Sequence, residues 1–150
     1  MIQVNGGMPD MDNEVVKILD ERIETIESGY EYMLAYAAQG HEAEKDSRHE
    51  HDIRSHLEKM DNALDGLGAM VVTLARHQDS NKVEQYRAFL DAVNEDACRA
   101  QGAIRLVLAR PGISSQLIDN LNATIHLRAL LTDLFVIDEA FKPKSRGQST

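Results

Sequence analysis

Four of the six histidines in this 150-residue chain, His41, His49, His51 and His56, fall within sixteen residues, and imidazole is the side chain best suited to metal ligation or proton transfer near neutral pH. If this stretch is helical, His49 and His56 share its apolar side, Asp52 lies towards the edge of that side, and His51 points elsewhere. His49 and His56 stand about 10.5 Å apart along such an axis, too far to share one ion. Asp52 and His56, one turn apart, can chelate together. With antiparallel neighbours of similar length, His56 comes level with Glu27 to Glu31 of the first segment and with His126 of the last. Glu27, Asp52, His56 and His126 thus form a candidate transition-metal layer of carboxylates and imidazoles.

A second concentration of chemistry is acidic. Between Asp10 and Gly40 the chain carries eight acids and two bases, so most of its formal charge of −9 sits there. Asp20, Glu24, Glu27 and Glu31 share one helical stripe, where like charges three and four residues apart cost a few tenths of a kcal/mol per pair unless something answers them. The answer is solvent, a basic protein partner, a metal ion, or arginines such as Arg87, Arg99 or Arg105 from a neighbouring helix.

The elements that hold these residues read as four long helices. In the first, from Asp12 to Gln39, Val16, Leu19, Ile23, Ile26, Tyr30, Met33 and Ala37 recur at spacings of three and four, a heptad seam. Gly40 sits where a left-handed residue ends a helix. The second opens at the Ser47-x-x-Glu50 capping box, with Asp46 a competing cap, and runs to His77 with a soft middle at Gly66 and Gly68. Asn81 and Glu84 cap the third, which Pro111-Gly112 stops. The fourth runs from Ser114 to Lys142, with Ile113 and Ile118 placed as a hydrophobic staple. Connections of about four to seven residues make sequential neighbours antiparallel, predicting an all-α, up-down-up-down four-helix bundle. The expected limits are a flexible N-terminal segment over 1–11, the bundle over 12–142 and a disordered tail over 143–150.

The fourth helix is apolar around most of its circumference. Leu127, Leu130, Leu134 and Phe141 lie about opposite Leu117, Leu121 and Phe135 on a continuous wheel. A helix of that kind is central to a larger core or exposes a patch that another chain covers. The expectation is the second, a homodimer through Leu127, Leu130, Leu134, Ile137 and Phe141.

Composition excludes several functions. The net negative charge lacks the electrostatic footprint of nucleic-acid or anionic-lipid binding, and no apolar run approaches the roughly 18 residues of a membrane span. The single Cys98 rules out an intrachain disulfide and fits a reducing cytoplasm; beside Ala97 in a helical seam it reads as a small buried hydrophobe. No Walker loop, dinucleotide fingerprint, nucleophile elbow or zincin motif is present, so no catalytic residue is assigned. Without Cys-x-x-Cys-His, haem is not expected, and Met33, Met60 and Met70 read as core.

Two bundle families bear on the histidines. Ferritin-like di-iron bundles bring a Glu from each of two helices and Glu-x-x-His from each of two others. This chain has no Glu-x-x-His: its nearest approximation is Asp46-Ser-Arg-His49, and Ala123 stands three residues before His126. His56-Leu-Glu-Lys59 resembles the His-x-x-Lys of histidine phosphotransfer domains, which are also four-helix bundles, over those few residues. Met60 occupies the place of that family's glycine after the lysine. The leading expectation is a cytoplasmic, non-catalytic interaction or structural module that homo-oligomerises and presents an acidic helix face to a protein partner. The alternative is a metal-binding bundle, ferritin-like or otherwise, and beyond it a phosphotransfer-like domain.

Overall fold

The computed structural model describes residues 2–43 and 47–141, and only the backbone of residues 2–12 and 79. All its regular elements are helical: α1 (Ile2–Gln39), α2 (Arg48–Leu64), α3 (Leu67–Asp79), a 3-10 turn (Val83–Tyr86), α4 (Arg87–Leu108), α5 (Ser115–Thr124) and α6 (Leu127–Phe141). α1 packs on α2, α3, α5 and α6, and α4 packs on the same four, while α1 and α4 scarcely meet. Among the described residues no helix is long and apolar enough to cross a membrane.

The seams read from three-four spacing are the seams that pack. Leu19, Ile26 and Met33 of α1, Ile53, Leu57 and Met60 of α2, and Val93, Ala97, Ala100 and Ile104 of α4 are buried in one core. Each large side chain there contributes about 1.5–3 kcal/mol relative to an exposed one. Gly29 lets α2 approach α1, because the Met60 side chain occupies the space a Cβ at that position would fill.

Several boundaries differ from expectation. α1 begins at Ile2 rather than at Asp12; Gly6, Gly7 and Pro9 lower helix propensity by about 1 and about 3 kcal/mol against alanine without forbidding the conformation. The tail expected over 143–150, together with Lys142 and the competing cap Asp46, lies outside the described residues. α4 starts after the 3-10 turn with no side-chain cap, so Asn81 and Glu84 do not open it. Gly40 does adopt the left-handed conformation, at φ 71°.

The soft middle of the second segment is a complete break. Asp65 is extended and Gly66 turns left-handed at φ 68°, which separates α2 from α3. The carbonyls freed at the end of α2 are answered from α1, where Arg22 donates to the Ala63 and Asp65 carbonyl oxygens. From α4, Gln101 donates to Asp61 Oδ1 at 2.9 Å and Arg105 to the same oxygen at 3.0 Å. A helix end needs such partners for its last four carbonyls, so this break is fastened.

The expected fourth helix is also two. Ile125 is extended, at φ −100° and ψ 142°, between α5 and α6. That one residue resets the phase, so the Leu127 face of α6 and the Ile118 and Leu121 side of α5 both turn inward, while Leu117 stays half-buried and Phe135 exposed. Ile118 and Leu121 of α5 and Leu127, Leu130, Leu134 and Ile137 of α6 are all buried within the same chain. Those last four residues therefore have no surface left to offer a second copy. Phe141, half-buried, meets the Tyr86 ring at 5.8 Å.

Candidate functional site

Polar and aromatic side chains converge where the end of α1, the start of α2 and the α4–α5 turn meet. Ser47 caps α2 by accepting the Glu50 backbone N–H at 3.1 Å. The Glu50 side chain is buried, the residue only 4% exposed, and a carboxylate is buried at acceptable cost only when its lone pairs are engaged. Arg54 Nε donates to its Oε2 at 2.7 Å and the Ile113 N–H to its Oε1 at 3.1 Å. Arg54 reaches on to the Leu108 carbonyl at 2.8 Å and to that of Arg110. The Tyr36 hydroxyl donates to the Ile113 carbonyl at 2.6 Å, so both backbone groups of that buried residue are held by side chains.

Ser115, the first residue of α5, fastens the other side. Its hydroxyl donates to the Tyr36 carbonyl and accepts the His41 N–H, each at 2.6 Å, and its own N–H donates to the His41 carbonyl at 2.9 Å. Five rings run through the junction. His49 stacks on His41 with centroids 4.0 Å apart, His41 leans on Tyr36 at 4.7 Å, Tyr36 neighbours Tyr32 at 6.4 Å, and Tyr32 stacks on His56 at 3.9 Å.

His56 lines a cleft of about 320 Å³ between α1 and α2, together with Glu24, Thr25, Ser28 and Lys59. Burial, then the Lys59 charge, push its pKa below the ordinary value, against an opposing pull from Asp52. Tyr32 titrates higher than usual, first through burial and then through the Asp52 carboxylate. In the His-x-x-Lys stretch, Met60 is fully buried against Gly29, so the position that resembles the phosphotransfer glycine is a core residue here.

The four candidate metal ligands fall on two sides of α1. His126 is exposed at the α5–α6 break, in a cleft of about 390 Å³ lined by Tyr30, Asn122 and Arg128 among others. Turned at about 100° per residue, Tyr30 lies roughly opposite Thr25, Ser28 and Tyr32, where His56 sits. Glu27 falls nearer the Tyr30 side, and Asp52 stays with His56. Among the described residues no three His, Cys, Asp or Glu side chains come together to hold a metal ion. Antiparallel neighbours of similar length constrain levels along the bundle but not which side of α1 each neighbour occupies.

On the acidic stripe, Glu24 and Glu31 are exposed and Asp20 and Glu27 half-buried. None of the four makes an ion pair among the described residues. Arg105 is engaged by Asp61 at 3.0 Å and Arg87 by Glu84 at 3.2 Å, so two of the three arginines considered as answers are used elsewhere. Between α4 and α6, burial and then the Asp96 charge raise the pKa of Asp133. Cys98 is exposed rather than buried, its Sγ 3.8 Å from Asn94 Oδ1.

Glu50, His41, Tyr36 and Ser115 make the junction, and sequence reasoning assigned none of them to a site. Glu50 carried one signal, the capping box, which explains its place but not its burial. Compared with protein-family models, curated proteins and solved structures, the chain matches none. Function is therefore read from its own residues.

Proposed function

We propose that the chain is a four-rod helical bundle, its second rod built from α2 and α3 and its fourth from α5 and α6, which serves as a non-catalytic interaction module. It pairs with a second copy through α6 and presents the acidic side of α1 to a basic protein partner. The observation that carries this reading is the unanswered stripe Asp20, Glu24, Glu27 and Glu31. Among the described residues Asp61, Asp65, Glu50 and Glu84 pair with arginines, and these four acids pair with none. Pairing of copies is supported by Phe135 and Val136, adjacent on the outer face of α6 and 45% and 55% exposed.

Titration with a synthetic lysine- and arginine-rich peptide tests the acidic face. Binding should weaken about tenfold or more when Glu24→Lys and Glu31→Lys are combined, and fall as salt shortens the range of the attraction. Glu95→Lys on α4 should leave it unchanged. Equal affinity in all three proteins would overturn the assignment. Light scattering tests pairing: wild type should run as a dimer and Phe135→Glu/Val136→Glu as a folded monomer, and a monomeric wild type would refute it.

A further inference from the structure

We propose that two copies of the chain join through the outer face of α6 with these helices antiparallel about a two-fold axis, Arg128 of each meeting Glu139 of the other. The inference rests on the pairing through α6 proposed above and adds its geometry and the residues that set it. Turned at about 100° per residue, Arg128, Thr132, Phe135, Val136 and Glu139 fall within about 100° of the circumference, opposite the buried Leu130, Leu134 and Ile137. All five are exposed. Arg128 and Glu139 stand almost on one line, about 16.5 Å apart along the axis, with Thr132 and Phe135 placed symmetrically between them. The stripe is therefore positive at one end, negative at the other and apolar towards its middle. A two-fold contact uses the same patch on both copies and needs a patch that complements itself.

Direction decides whether this stripe attracts its own copy. Antiparallel, the level that sets Arg128 against the partner's Glu139 also sets Thr132 against the partner's Phe135, and the two Phe135 side chains come within about 5 Å of each other along the axis. Parallel and in register, arginine opposes arginine and glutamate opposes glutamate, which repels. The helix itself supplies a second argument. Arg128 is the second residue of α6 and Glu139 the third from its end, with no acid in the first turn and no base in the last. Each charge thus stands at the helix end whose partial charge repels it. In the antiparallel pair each lies beside the opposite end of the partner's α6, where the same dipole attracts it. Among the described residues neither side chain forms an ion pair within its own chain.

Sedimentation equilibrium of the full chain at low salt gives the dimer dissociation constant that tests this. Glu139→Arg alone, or Arg128→Glu alone, makes both end contacts repulsive and should weaken pairing about tenfold or more. The two combined restore opposite charges across the interface, and pairing should return to within about threefold of wild type. Each substitution puts at its helix end a charge that the α6 dipole favours, so the fold should persist, as circular dichroism checks, and lost pairing is not lost folding. Within one chain the two positions are too far apart to touch. Rescue therefore arises only between copies, whatever Lys142, outside the described residues, contributes beside Glu139. Reversals without effect on a dimer that Phe135→Glu/Val136→Glu still splits would overturn the antiparallel arrangement and leave pairing through α6 standing. A combined variant as weak as either single one would do the same. A monomeric wild type would remove the pairing and this arrangement together.

Discussion

Glu50 shows how one side chain acquires a role its neighbours in sequence do not announce. As the fourth residue of a Ser-x-x-Glu box it is expected to reach back to its own helix start, yet its two oxygens tie α2 to the α4–α5 turn through Arg54 and Ile113. Removing it leaves the Arg54 Nε–H and the buried Ile113 N–H without their acceptor and the guanidinium without its counter-charge. Glu50→Ala should therefore cost about 3 kcal/mol in urea unfolding. Glu50→Gln, which keeps an acceptor for one donor, should cost clearly less. Equal losses would mean that packing, and not the paired donors, holds the turn. His41 makes the same point for rings: it lies beyond the end of α1, in no periodic pattern, and its neighbours are set by the path of the connection.

At the scale of elements, two left-handed or extended residues decide the architecture. Gly66 turns the chain at φ 68° with open space around it, so a side chain there meets backbone strain and no collision. Gly102 lies inside α4, also in open space, with no such turn. Gly66→Ala should lower stability by about 1–2 kcal/mol, and Gly102→Ala should raise it by up to about 1 kcal/mol, both read from thermal or denaturant melts. A shared sign would place the α2–α3 break elsewhere than at Gly66. The break at Gly66 was half legible, because glycine in a seam marks a weak point. The break at Ile125 was not, since a β-branched residue between Thr124 and His126 carries no stop signal and its extended backbone depends on what α5 and α6 pack against. The seams were legible at most positions, Leu19, Leu57 and Ile104 among them, because periodicity reports burial whichever helices meet; near the end of α1, however, Tyr36 is buried and the seam residues Tyr30 and Ala37 only half-buried. Faces were not: levelling His56 with His126 required knowing the side of α1 each helix takes.

For the whole molecule, the turn at Ile125 converts surface into core. Leu130 is completely buried in its own chain, so Leu130→Glu should unfold the protein, losing about 4 kcal/mol or more by leaving a charge without a partner in an apolar site. Circular dichroism of that variant should show lost helicity; a folded, soluble monomer would place the Leu130 face of α6 at the surface.

The near absence of contact between α1 and α4 carries a thermodynamic consequence. Among the described residues, each of these two uninterrupted helices packs chiefly against the pieces α2, α3, α5 and α6, so neither has a long companion with which to persist once those pieces leave. No pair of long rods forms a nucleus that outlives the rest, and no half of the chain owns a separate core. Heat or denaturant should then melt the described fold in one step, with calorimetric and van't Hoff enthalpies in agreement.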